Sequence, residues 1–164
     1  MGQTCSTPAL KILMIGTEMA GKTSILYRIK LDKEIQTIPT VGFNQEEIMI
    51  RGGKYFVTDL SVPNYFQQML EENKGVIFVI DSSQEDMHES LELFTNMMHI
   101  LDEKSHPILI FCSKCDVKQP DLEHIEKYFE LKTIKQQYKI VKCSSVTGEG
   151  IAEGFQFLSE QIHM

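Results

Sequence analysis

Gly16-Thr17-Glu18-Met19-Ala20-Gly21-Lys22-Thr23 is the stretch from which the rest of the chain can be read. It matches G-x-x-x-x-G-K-[ST], a loop that wraps phosphates. A mostly apolar run, residues 10–15, leads in, and a helix-like segment, residues 24–31, leads out. That strand-loop-helix setting separates the motif from an ordinary glycine-rich turn. The glycines let the backbone close on an anion with its amide hydrogens pointing inward. The following helix presents the positive end of its dipole. Lys22 is placed to reach β- and γ-phosphates, and the Thr23 hydroxyl to ligate Mg²⁺. Glu18, Met19, Ala20, Gly21 and Ser24 complete the predicted phosphate wrap.

Outward from this loop the pattern alternates. Residues 32–42 read as a loop, with Pro39 blocking regular structure. Residues 43–50 and 55–60 read as a hairpin around Gly52-Gly53. Residues 75–80 and 108–111 are apolar on both faces, as buried parallel strands require. Between them Leu91, Phe94, Met98 and Leu101 share a helical face and read as core. Residues 138–141 give a short last strand. Residues 150–163 read as a closing helix with Ile151, Phe155, Leu158 and Ile162 inward. Strands alternating with helices predict a doubly wound α/β sheet, mostly parallel with one antiparallel hairpin strand. Ligands in such sheets sit at the carboxyl ends of the strands, where the phosphate loop falls.

A chain of 164 residues with one such pattern reads as one domain. Its net charge of −7 argues against a nucleic-acid surface. No apolar run reaches membrane-spanning length, and no cleavable signal pattern is present. Cys112 and Cys115 form C-x-x-C, but no second pair or histidine cluster completes a zinc site. Intact thiols are the simpler expectation. His88, His99, His106, His124 and His163 lack ligand spacing and are expected at surface or helix-end positions. Residues 123–139 read as a solvated helix and loop.

Further segments fit one ligand: Thr37-Ile38-Pro39-Thr40-Val41-Gly42-Phe43-Asn44, Asp59 at a strand end, Ser113-Lys114-Cys115-Asp116, and Cys143-Ser144-Ser145. With Ser24-Ile25-Leu26-Tyr27-Arg28, Ile77-Phe78-Val79-Ile80-Asp81-Ser82 and Thr147-Gly148-Glu149-Gly150, they resemble the Arf and Arf-like small GTP-binding proteins. The resemblance runs from Leu10 to the C-terminus, and the block from Thr37 to Asn44 is distinctive of that family. It implies a small G domain over residues 10–164 and GTP or GDP with Mg²⁺ as ligands. By the same resemblance Thr40 closes on Mg²⁺ and the γ-phosphate, and Asp59 holds a water on the metal. Asp116 accepts both donors on the guanine edge, the Lys114 stem covers the base, and Ser144 and Ser145 bring backbone amides to the guanine oxygen. Ser113 stands where the family usually has Asn, and a hydroxyl has fewer donors and acceptors than an amide. Weakened binding, short of abolished, is expected from that change.

The second switch departs from the pattern. The family has Gly-Gly-Gln one apolar residue after the aspartate, and this chain has Asp59-Leu60-Ser61-Val62-Pro63. Val62 retains the amide that normally bonds the γ-phosphate, on a β-branched, stiff residue. Pro63 occupies the glutamine position and cannot orient an attacking water. Thr58 replaces the usual tryptophan, and the stretch from Asp59 to Asp81 is several residues short. No residue is assigned a catalytic role, and weak or absent GTP hydrolysis is expected.

The opening Met1-Gly2-Gln3-Thr4-Cys5-Ser6 fits the N-myristoylation pattern at Gly2, with Cys5 close enough for S-palmitoylation. One myristoyl chain binds a membrane only marginally, so a second chain would matter. Residues 1–9 are therefore expected to be a flexible segment carrying the lipid sites. The whole reading is a cytoplasmic protein held peripherally on a membrane, regulating vesicle traffic or signalling through effectors. Those effectors would bind the two switches and the hairpin between them. A nucleotide-independent scaffold and an active GTPase with water positioned another way, for instance by Ser61, are the alternatives.

Overall fold

A computed structural model describes residues 8–31, 43–60, 63–102 and 104–163. Among the described residues, six strands form one sheet in the order β2-β3-β1-β4-β5-β6. They are β1 (Leu10–Gly16), β2 (Phe43–Ile50), β3 (Gly53–Leu60), β4 (Gly75–Asp81), β5 (Ile108–Ser113) and β6 (Tyr138–Lys142). Of these strands β2 and β3 pair antiparallel, and the other neighbouring pairs are parallel. This is the expected doubly wound, mostly parallel sheet with one antiparallel hairpin strand. Helices α1 (Lys22–Leu31), α2 (Phe66–Leu70), α3 (His88–Leu101), α4 (Leu122–Tyr128) and α5 (Ile151–His163) cover it.

Alternation along each strand divides the core in two. Ile12 and Met14 of β1 face α1 and α5 with Ile25, Leu26, Phe155 and Leu158. Leu13 and Ile15 face the other layer with Phe66 of α2, Phe94 of α3 and Ile125 of α4. A strand buried on both faces reads as a continuous apolar run, which is why β4 and β5 were legible. In α3 the fully buried face is Ser90, Phe94, Met97 and Leu101, while Leu91 and Met98 flank it half-buried. The expected helical face is thus rotated by a fraction of a turn.

Three local expectations are revised. The hairpin turn is Arg51-Gly52, since Gly53 already pairs with Ile50 in β3. Both turn residues have positive φ, 47° and 80°, as a two-residue hairpin loop matching the sheet twist demands. The segment expected as a solvated helix and loop contributes Ile125, Phe129 and Leu131 to the core. Its charges had hidden those apolar residues. His106 is half-buried, with Nε2 3.0 Å from the Asn73 carbonyl oxygen.

Candidate functional site

At the carboxyl end of β1 the chain turns through Thr17, Glu18, Met19 and Ala20 into α1. A Cβ on Gly16 would lie 2.5 Å from the Val79 carbonyl oxygen, so the first motif position must be glycine for β1 and β4 to pair. Gly21 has φ +103°, a conformation that L side chains resist. Met19 takes φ 63° at 82% exposure, so a non-glycine residue is held in the left-handed region at the tip of the loop. Glu18 and Ser24 are exposed beside it.

Lys22 is buried, and its Nζ donates to the carbonyl oxygens of Gly16 (3.0 Å) and Thr17 (2.9 Å). An ammonium has three donors, so one remains for a ligand. Burial lowers the Lys22 pKa, while the charges of Asp59 and Glu18 act in the opposite direction. Thr23 Oγ1 donates to Asp59 Oδ2 at 2.8 Å. Asp59 is buried at the end of β3, and its Oδ1 has no hydrogen-bond partner among the described residues. Burial raises its carboxyl pKa, opposed by the Thr23 hydrogen bond and the Lys22 charge. A hydroxyl beside a buried carboxylate oxygen lacking a partner is the oxygen donor chemistry that Mg²⁺ prefers. The residues present therefore fit that ion.

The loop after β5 faces this loop from the next strand but one. Lys114, at φ 61°, donates from Nζ to the Met19 carbonyl (3.0 Å) and to Asp81 Oδ2 (2.6 Å). Burial pushes the Asp81 carboxyl up, but the bonds from Lys114 and Ser83 outweigh it and hold it below the usual carboxylate range. Ser113 Oγ lies within bonding distance of both the Ala20 and the Ile80 carbonyl oxygens. Its single proton serves one of them at a time, and either way the serine ties the loops together where an asparagine was expected.

Asp116 is exposed, and its Oδ1 accepts from Ser144 Oγ at 2.7 Å. That same Ser144 oxygen accepts from the amides of Val146 and Thr147, both at 3.1 Å. The Ser144 amide itself donates to the Glu149 carbonyl at 3.1 Å. Of the two amides expected to meet a guanine oxygen, Ser144's is thus already committed to the loop.

Sequence reasoning missed two supports. Arg28 of α1 donates to the carbonyls of Val146 (2.7 Å) and Thr147 (3.2 Å), fastening the last loop to the helix that starts at Lys22. Glu149 accepts from the Cys115 thiol at 3.4 Å and pairs with Lys142 at 3.5 Å. Both lie inside motif blocks, but Val146, Thr147 and Cys115 are distant from them in sequence. Cys112, Cys115 and Cys143 are free and buried. Burial pushes all three thiols up, Cys112 to about 12, which opposes thiolate chemistry at the C-x-x-C. No group of three or more metal-ligating His, Cys, Asp or Glu occurs among the described residues. Gly2, Cys5, Thr40 and Val62 lie outside the described residues. Pro63 opens a single 3₁₀ turn, Pro63–Tyr65, that runs into the five-residue α2.

The family model described as the ADP-ribosylation factor family matches residues 2–162. The chain belongs to that family. ADP-ribosylation factor 1 of Brassica rapa subsp. pekinensis is 35% identical over 159 residues, 93% of this chain and 87% of that protein. Human ADP-ribosylation factor-like protein 5A is 30% identical, over 93% of this chain and 89% of its own length. The fold is also that of the Arl6 BBS3 small GTPase from Trypanosoma brucei, solved with the nucleotide analogue GppNp. That match has a TM-score of 0.75 at 24% identity and covers 95% of this chain and 98% of the other. Regulation of membrane traffic is the general function of the ADP-ribosylation factor family. No helix among the described residues is long and apolar enough to cross a membrane.

Proposed function

We propose that this family member binds GTP or GDP with Mg²⁺, hydrolyses it weakly or not at all, and acts by presenting a bound-state surface to effectors at a membrane. The observation that carries the reading is the Lys22–Thr23–Asp59 group, in which Lys22 and Asp59 are buried and, among the described residues, one ammonium donor and one carboxylate oxygen are left for a ligand. In that reading Lys22 meets the β- and γ-phosphates, and the loop amides from Glu18 to Ser24 surround them. Thr23, Asp59 and Thr40 would hold the metal, which when bound neutralises phosphate charge. Lys114 lies along the base. Asp116, with Oδ1 held by Ser144, turns its other oxygen to the guanine edge. The Ser145 amide is the better placed of the serine pair to meet the guanine oxygen.

The sequence Val62-Pro63 supports the weak-hydrolysis half of the proposal. Proline offers neither a side-chain amide nor a backbone N–H to align water. Membrane residence would come from acylation at Gly2, reinforced at Cys5. Mass spectrometry of protein from eukaryotic cells should find Gly2 blocked by a myristoyl group, and a free or acetylated terminus would remove the anchor.

The deciding test is the nucleotide content and affinity of the purified protein. Denatured protein should release guanine nucleotide, and titration of fluorescent GTP and GDP with Mg²⁺ should saturate. Asp116→Ala should lose that preference. An empty protein with no measurable affinity would favour a nucleotide-independent scaffold. Turnover at the rate of an activator-stimulated family member would favour an active GTPase with atypical water positioning.

A further inference from the structure

Arg28 follows Lys22 in α1 by less than two turns, roughly 9 Å along the helix axis. Its guanidinium is a planar fork of donors. Nη1 donates to the Val146 carbonyl oxygen at 2.7 Å, and Nη2 donates to the Thr147 carbonyl oxygen at 3.2 Å. The same group covers Gly148, where a Cβ would lie 3.3 Å from Nε and 3.4 Å from Nη2. Gly148 has φ +83°, so the backbone turns sharply beneath the fork.

Val146 and Thr147 are thus held from two directions. Their amides donate to Ser144 Oγ, and the Gly148 amide donates to the Ser144 carbonyl oxygen at 2.8 Å. Their carbonyls accept from Arg28. Burial adds little, since Val146 is 67% exposed and Thr147 is exposed beside it. A loop with few buried apolar contacts opens easily unless its hydrogen bonds hold it. Ser144 belongs to the loop and moves with it. Arg28 instead refers the loop to a helix anchored by the buried Ile25 and Leu26. The Ser145 amide, set against the guanine oxygen in the proposed function, lies immediately before the gripped residues. One N–H reads one oxygen only where its direction is fixed, because a hydrogen bond weakens steeply as it bends.

We propose that Arg28 is a specificity-positioning residue: its fork sets the Ser145 amide at a fixed span from Lys22, so that the loop selects a purine carrying an oxygen at its six position. Arg28 acts through the loop and not by touching the base. The selection of base rests on the proposed nucleotide binding, whereas the grip on the loop does not.

The test compares the wild type with Arg28→Met, which keeps an unbranched stem and a good helix former but has no donor. GDP, 6-thio-GDP and IDP compete with fluorescent GDP at fixed Mg²⁺. 6-Thio-GDP exchanges the six-oxygen for sulfur, a weaker acceptor. IDP keeps that oxygen and lacks the amino group that Asp116 would accept. The wild type should prefer GDP over 6-thio-GDP by about tenfold, and Arg28→Met by about twofold or less. The preference for GDP over IDP should stay within about twofold of the wild type. A ratio of affinities does not depend on the folded fraction, so a less stable variant still answers. An unchanged GDP to 6-thio-GDP ratio, an equal fall in both ratios, or a wild type indifferent to the oxygen would overturn the proposal. In the nucleotide-free protein the Val146, Thr147 and Gly148 amides should exchange hydrogen about tenfold faster in Arg28→Met, with β4 and β5 unchanged. Wild-type exchange at those amides would overturn the grip itself. If no nucleotide binds at all, the proposed function fails, while amide exchange still judges the grip.

Discussion

The base side and the metal side of the site are built on different terms. On the base side the protein satisfies itself: Lys114 is paired to Asp81 and Met19, Asp116 to Ser144, and the last loop to Arg28. On the metal side Asp59 Oδ1 is buried without a partner among the described residues, and the chain runs from Leu60 toward a proline where the family it resembles carries glutamine. A preorganised region contributes recognition without further ordering, since its loops are already fixed. A region with an unpartnered buried carboxylate oxygen is less stable alone than with a ligand. The proposed function, in which nucleotide is held and cut weakly or not at all, builds on this contrast.

The phosphate loop is common to both sides, so its loss should be the largest effect. Lys22→Met removes the charged donor that meets the phosphates in the proposed function. GTP and GDP affinity should fall on the order of 100-fold or more, read by fluorescence titration. An unchanged affinity would mean that the loop takes no part in binding. Ser144→Ala tests the base side alone. It strips Asp116 of its hydroxyl partner and leaves two loop amides, of Val146 and Thr147, without an acceptor. The cost should be about 1–3 kcal/mol in stability. Guanine affinity should fall about tenfold with the Mg²⁺ dependence intact. Loss of Mg²⁺ dependence in that variant would show that the two sides are not separable.

The contiguous segments were also the more legible part of the sequence. Phosphate loop, base loop and strand runs are contiguous words, and each folded as its own spacing dictates. What escaped was support from afar. Arg28 reaches Val146 across 118 positions, and no local pattern announces it. Lys30 and Glu46 carry no local signal of burial, and the packing of α1 on β2 buries them. The apolar face of α4 was missed for the opposite reason, because charges outnumber the few residues that reach the core. The turn at Arg51-Gly52 was misplaced by one residue because the second of two adjacent glycines already belongs to the strand.

Asp59→Asn probes the metal side through acidity. Burial raises the Asp59 carboxyl above its unfolded value, so the folded protein binds that proton more tightly than the unfolded chain. The sign follows: Asp59 detracts from stability at neutral pH. The penalty fades as pH falls through the raised folded value and vanishes below the unfolded one. The nucleotide-free Asn variant should therefore melt a few degrees above the wild type at pH 7, with the gap closing toward pH 4. It should also lose Mg²⁺-dependent affinity. A variant less stable at pH 7 would mean that the Thr23 and Lys22 interactions outweigh burial, and that the metal side is as self-satisfied as the base side.

Pro63→Gln carries the smallest expected change. If the missing glutamine were the whole defect, restoring it should revive hydrolysis. Water positioning, however, requires the side chain to be held, and here a single 3₁₀ turn and a five-residue helix follow position 63. Val62 would still stiffen the preceding backbone. Single-turnover GTP hydrolysis in Pro63→Gln should accordingly stay within about threefold of the wild type, since an unheld group contributes little of the ordering on which catalysis depends. A rise of tenfold or more would locate the defect in one side chain and show the metal side to be poised for chemistry. No rise, in a protein that still binds GTP, would place it in the length and stiffness of the segment itself.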